Sequence, residues 1–280
     1  MSTMSPIIIH PTAVVDPEAQ IAPDVEIGPY AVIEGPVRVE TGTKIWPHAY
    51  LVAPLEIGRG CQIHVGAVLG HLHQALREPQ AGGVRIGDRA IIREYATVHR
   101  ASKPGAWTTV GSEALLMGFT HVAHDCHVGS RVIIANGTLL AGHVTVEERA
   151  VISGHVAVHQ FVRIGALAMI GGLARVNKDV PPYFLVKGDS EVWAINSVGL
   201  KRAGISQEAQ AKIREAYRLL YRAGLNTTQA LKAIAALDQI PPEVGYLMQF
   251  IQESQRGICR HHLRVPEEAN LLDMEEGGMI

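Results

Sequence analysis

Aliphatic residues recur at every sixth position through most of this chain. From Ile9 the steps fall on Val15, Ile21, Ile27, Ile33, Val39, Ile45, Leu51, Ile57 and Ile63. The pattern breaks at "HLHQALREPQAGG", His71 to Gly83, and resumes at Ile86, Ile92 and Val98. It breaks again around "RASKPGAWT" and then runs from Val110 to Val176. An α-helix repeats near about 3.6 residues and a half-buried strand near about 2, so neither yields a strict period of six. Short strands joined by turns do yield it, and hexapeptide repeats of this kind mark a parallel β-helix. Glycines that directly follow the aliphatic residue, such as Gly58, Gly111 and Gly165, are expected where the chain turns or passes close to a neighbouring segment.

The two breaks read as loops inserted near 71–83 and 100–108 of a β-helix domain spanning 1–190. Beyond about Gly204 the period changes. "ISQEAQAKIREAYRLLYRAG" offers Ser206 as an N-cap and Gly224 as a stop, Thr227 or Thr228 opens a second helix through Leu237, and Pro242 opens a third through Ser254. A small helical domain is therefore expected over 191–262. An acidic tail over 263–280 is expected to be disordered or loosely docked.

Composition excludes several classes. A net charge of -2 and an aromatic content of 5% give neither the basic footprint nor the stacking platforms of a nucleic-acid binder. No apolar run reaches the roughly 20 residues of a membrane helix. The N-terminus lacks the basic start and apolar stretch of a signal peptide, and Cys61, Cys126 and Cys259 are few and far apart, which suits a reducing compartment. A cytoplasmic location is expected.

The segment "THVAHDCHVGS", Thr120 to Ser130, concentrates the chemistry. In each hexad the aliphatic residue and the small residue four places later point inward, so Cys126 faces the core and is a small hydrophobe, not a nucleophile. His121, His124 and His127 fall on outward positions. Three hexads make one coil, and coils stack about 4.8 Å apart. On that count His124, His143 one coil on and His159 two coils on line one edge with His121, beside Asp125 and Gln160. His127 and His155 fall elsewhere. An edge is shallow, so a second copy of the chain is expected to supply the opposite wall in a closed cyclic oligomer, whose copy number the spacing does not give.

The hexads, the run "HVAHDCHVG", then "LAGHV", "AVHQF", "DVPPY" and "GLKR", and the helical C-terminus together resemble the UDP-N-acetylglucosamine O-acyltransferases of lipid A biosynthesis. The resemblance implies a left-handed parallel β-helix with three hexads per coil and a homotrimer. It implies transfer of a 3-hydroxyacyl group from acyl carrier protein, where it rides on phosphopantetheine, to the 3-hydroxyl of a UDP-sugar, with no cofactor or metal of the enzyme's own. Residue by residue it implies His124 as general base, Asp125 as its orienting partner and Gly142 as the backbone N–H donor to the oxyanion. It places His121 and His143 against substrate, His159 and Gln160 on the sugar nucleotide, Arg202 on its phosphates, and Gln74 and Arg77 in a loop reaching over a neighbour's cleft. Gly172 matches the position that limits acyl length.

Ala75, Val198 and Ala203 depart from the family pattern, all on the nucleotide side, so a different UDP-sugar acceptor, such as a 3-amino sugar, stays open. A γ-type zinc carbonic anhydrase shares the coil and the trimer, but its H-x-x-x-x-H spacing is absent from this edge. An acetyltransferase of the same repeat class and a non-catalytic binding module are the other readings.

Overall fold

The computed structural model describes residues 6–74 and 82–262. Ala75, Arg77 and the 263–280 tail lie outside the described residues.

Each hexad forms one short strand whose aliphatic member points inward. Strands three apart pair in parallel, so that His121 lies on Leu139, His127 on Thr145 and Ile133 on Val151, an offset of eighteen residues per coil. The strands sort into a twelve-stranded, a nine-stranded and an eight-stranded sheet, which the chain visits in that order. The result is a three-sided prism. We call the corner after the twelve-stranded sheet edge 1, that after the nine-stranded sheet edge 2, and that after the eight-stranded sheet edge 3.

The inward residues form the core of the prism. Val122, Leu140, Ile134, Ile152 and Ile164 are all fully buried, and Cys126, Val144 and Val162 occupy the small inward position between them. With core packing at crystalline density, truncating one of these, such as Leu140→Ala, costs about 2–5 kcal/mol.

The turns differ from the sequence expectation in one respect. The left-handed residue of each corner is the third after the aliphatic, and it is seldom glycine: Asp125, His143 and Phe161 have φ of 58°, 61° and 64°. Regular hydrogen bonding across coils holds it there, as when His143 N–H donates to the His124 carbonyl at 3.0 Å. The glycine directly after the aliphatic instead allows close coil approach. A Cβ at Gly111 would stand 2.5 Å from the Ser130 nitrogen.

The last coil turns back on itself as an antiparallel pair, Phe184–Lys187 with Glu191–Ile195, and leads into four helices. α1 spans Ser197–Arg202, α2 Gln207–Tyr221, α3 Thr227–Ala235 and α4 Pro242–Gln252. Ser206 caps α2 by accepting from the Ala209 N–H. α1, at six residues, is too short to show a period and has no counterpart in the sequence reading. Buried Asp179 joins the two parts, accepting from the Arg163 N–H on the coil and from the Ser254 hydroxyl beyond α4. No described helix is long and apolar enough to cross a membrane.

Candidate active site on edge 2

On edge 2 the second residue of the Gly142 corner keeps a backbone N–H that the coils do not use. There the first and third residues after the aliphatic donate to carbonyls of adjacent coils, Ala141 to Val158 and His143 to His124. The second, here Gly142, donates to no backbone carbonyl among the described residues. Edge 2 combines that free N–H with side chains that titrate.

His124 and Asp125 are the second and third residues of one corner, and the left-handed Asp125 turns its carboxylate back along the histidine. His124 Nδ1 donates to Asp125 Oδ2 at 2.7 Å. In the neutral imidazole an Nδ1–H committed in this way leaves Nε2 as the acceptor, and Nε2 lies on the Gly142 side of the ring. The carboxylate is itself fixed. Its Oδ1 accepts from the Ser102 N–H at 3.1 Å, and the Asp125 N–H donates to Thr108 Oγ1 at 2.9 Å. Ser102 of the second inserted loop and Thr108 of the strand that follows it, Trp107–Val110, thus clamp Asp125 from both ends. Burial alone would raise the Asp125 pKa, but the bonds from His124 and Ser102 outweigh it and hold the carboxyl below its ordinary value.

Gly142 lies one coil below His124. A Cβ there would stand 2.7 Å from His124 Cε1 and Nε2, so any side chain would displace the imidazole. His143 packs edge-on to His124, with ring centroids 5.2 Å apart, stacks on Phe161 at 4.6 Å, and brings Nε2 to 3.6 Å from Asp125 Oδ2. Burial lowers its pKa despite that carboxylate. His121 Nδ1 and Thr97 Oγ1 are 2.7 Å apart, and burial, then the nearby His124, lower the His121 pKa. A cleft of about 450 Å³ joins His121, His124, Gly142 and Gln74 to the outward aliphatic Leu139, which is 51% exposed.

The remaining candidates are placed as follows. Cys126 is buried, with its thiol on the Ala141 carbonyl and its pKa pushed up to about 12 by burial, so it is no nucleophile. His159 turns toward the helical part, where Arg256 Nη2 donates to its Nδ1 at 3.2 Å, and does not join the histidine cluster. Gln160 follows it, exposed at the same corner. Arg202 lies on the twelve-stranded face, which is opposite edge 2 in a three-sided prism. Gly172 is exposed on edge 1, where a Cβ meets nothing nearer than the Gly154 carbonyl at 3.5 Å. His127 faces outward on the eight-stranded sheet beside Thr109.

The structure adds residues that the repeat count missed. His99 lies edge-on to His121 with centroids 4.9 Å apart, and its pKa falls to about 4, chiefly by burial and then by His121. His73 lies 5.6 Å from His124 on the same measure. Both border an insertion, where counting in sixes loses phase. Among the described residues, His124, Asp125 and His143 also form the one group whose donor atoms lie close enough to share a cation, within 4.8 Å of one another. A cation there would take the carboxylate that orients His124, so metal binding and base catalysis compete for the same atoms.

Coils of hexads with an oriented imidazole on an edge define a class, the hexapeptide-repeat transferases, and the bacterial transferase hexapeptide family matches residues 108–142. The family described as Udp N-acetylglucosamine O-acyltransferase, domain 2, matches residues 179–259. Proteins named acyl-[acyl-carrier-protein]–UDP-N-acetylglucosamine O-acyltransferase from Stenotrophomonas maltophilia and a Janthinobacterium species are 44% and 45% identical, covering 90% of this chain and 97% and 99% of their own. The solved structure of LpxA, a UDP-N-acetylglucosamine acyltransferase from Bacteroides fragilis, superposes with a TM-score of 0.87 at 39% identity, covering 90% of this chain and all of its own. LpxA from Acinetobacter baumannii gives 0.85 at 38%, with the same coverage. This chain belongs to the acyl-[acyl-carrier-protein]–UDP-N-acetylglucosamine O-acyltransferase family, and its fold is the left-handed parallel β-helix.

Proposed function

We infer that the protein transfers a 3-hydroxyacyl group from acyl carrier protein to the 3-hydroxyl of UDP-N-acetylglucosamine, the first step of lipid A biosynthesis. The observation that carries the mechanism is the 2.7 Å His124–Asp125 bond beside the free Gly142 N–H. His124 Nε2 removes the proton of the sugar hydroxyl as its oxygen attacks the thioester carbonyl. The Asp125 carboxylate stabilises the imidazolium that forms, and the Gly142 N–H donates to the oxyanion. Collapse expels the carrier thiolate, which takes the proton from His124. A positioned base contributes about 10²–10⁴-fold and an oxyanion donor about 10²–10³-fold.

His121, His143 and Gln74 line the same cleft and suit substrate contact, and Leu139 offers apolar surface for the acyl chain. No metal or cofactor takes part in this scheme. Arg202 stands on the face opposite edge 2, so for it to grip the phosphates of a sugar bound at His124, it must come from another copy, which supports a homotrimer. His159 and Gln160 toward the nucleotide, Arg77 over a neighbour's cleft, Gly172 as the limit on acyl length and a cytoplasmic location complete the reading. The relatives favour UDP-N-acetylglucosamine over a 3-amino sugar, and acyl transfer over zinc hydration chemistry.

The test is mass spectrometry of the product formed from UDP-N-acetylglucosamine and 3-hydroxyacyl carrier protein, with acetyl-CoA and other UDP-sugars in parallel. An ester on the 3-oxygen is expected. Acylation only from acetyl-CoA, or stoichiometric zinc in the active protein, would overturn the reading.

A further inference from the structure

A cavity of about 680 Å³ lies on the twelve-stranded face, floored by Ile133, Val151 and Met169 and bordered by Arg131, Arg149 and Arg202. Arg131 and Arg149 hold the left-handed position of successive edge 3 corners, with φ of 58° and 56°. Their stems therefore leave the backbone one coil apart, about 4.8 Å. Arg202 comes from the last turn of α1, and Ala203 beside it brings no charge.

The three guanidiniums are not equivalent. Arg131 donates to Glu113 at 2.9 Å, and Glu113 also accepts from Arg89 at 2.7 Å. Those bonds hold the Glu113 carboxyl down to about 2, so the Arg131 guanidinium stays tied to a carboxylate that it shares with Arg89. Arg149 is half-buried, Arg202 is exposed, and neither has a carboxylate partner among the described residues. Positive charge beside an aliphatic floor is poorly screened and favours an anionic ligand. A guanidinium fork matches phosphate oxygens, and a pair of them matches the one negative charge on each phosphate of a diphosphate diester.

We propose that Arg149 is a binding residue for the diphosphate of the nucleotide sugar, acting with Arg202, while Arg131 is held out of that role by Glu113. The proposal rests on the acyltransferase reading and deepens it. Arg149 lies one coil from Arg131, whose guanidinium is engaged by Glu113, and its charge stands in a cavity where Ala203 contributes none.

Calorimetric titration of the full-length protein with UDP and with uridine tests it. Arg149→Ala should weaken UDP by about tenfold and uridine by less than about twofold, because only the phosphates lose a partner. Arg149→Lys should recover part of the loss, and Arg131→Ala should stay within about twofold of wild type. In turnover, the KM for UDP-N-acetylglucosamine should rise with little change in kcat. Unchanged UDP affinity in Arg149→Ala, or an equal loss for UDP and uridine, overturns the proposal. If wild type acylates UDP-N-acetylglucosamine while Arg149→Ala binds UDP normally, only the Arg149 assignment falls; if wild type neither binds UDP nor acylates, the acyltransferase reading falls with it.

Discussion

Edges 2 and 3 of the prism are built on one backbone and equipped for opposite tasks. Each corner places a left-handed residue third after a buried aliphatic, at φ of 58° for both Asp125 and Arg131. On edge 2 that position holds Asp125 and His143, groups that move or attract protons. On edge 3 it holds Arg131 and Arg149, permanent cations. The difference lies in what fixes the side chains. Asp125 is tied down by Ser102 of an inserted loop and by Thr108 of the strand after it, while Arg149 has no carboxylate partner among the described residues. A repeat that fixes position so strictly leaves chemistry to the outward residues and to the insertions. In this account edge 2 carries out the reaction and the arginines hold the substrate.

The contrast can be broken most sharply at the base. His124→Ala should lower acyl transfer by about 10²–10⁴-fold, measured as kcat, while UDP affinity stays within about twofold. Next comes the oxyanion position. Gly142→Ala drives a methyl group into the His124 ring and should cost about 10²-fold or more in kcat. Gly118→Ala, at the same turn position on edge 1, meets first the movable amide of Asn136 at 3.1 Å and should retain near-wild-type turnover. On the binding side, Arg202→Ala should raise the KM for UDP-N-acetylglucosamine by about tenfold with kcat nearly unchanged, the reverse of the His124 signature.

The smallest effect is on stability. His99 has a pKa of about 4 in the folded protein against an ordinary 6.5. Above pH 6.5 both states are neutral there. Between 6.5 and 4 the unfolded chain binds a proton that the folded chain refuses, so stability falls as pH falls through that window and levels off below it. From pH 6.5 to 5.5 the loss is about 1 kcal/mol, readable as a lower urea midpoint, and His99→Gln should remove this contribution.

The coil was legible because a period of six encodes it directly, with Val122, Leu140 and Val158 in register one coil apart. The grouping of the candidate residues was legible for the same reason, since the phase that sent Cys126 inward left His121, His124 and Asp125 on the edge above Gly142 and His143. What escaped depends on contacts distant in sequence. The turn of His159 depends on Arg256, which lies 97 residues later. The seating of Arg202 depends on α1, whose six residues show no period. His73 and His99 border insertions that break the count. The left-handed corners fall on Asp, His, Phe and Arg because cross-coil hydrogen bonds hold them there, a constraint that residue preference does not reveal.

The central claim is that the two equipped edges serve one substrate across copies of the chain. Co-expression of His124→Ala and Arg202→Ala chains under different tags, with isolation of mixed assemblies, tests it most directly when turnover is measured at UDP-N-acetylglucosamine well below KM. An interface that pairs the intact His124 edge of one copy with the intact Arg202 face of another should restore a complete site, and the mixed assembly should exceed the weighted mean of its parents. Turnover equal to that mean would show that both residues act within a single chain and would contradict the account.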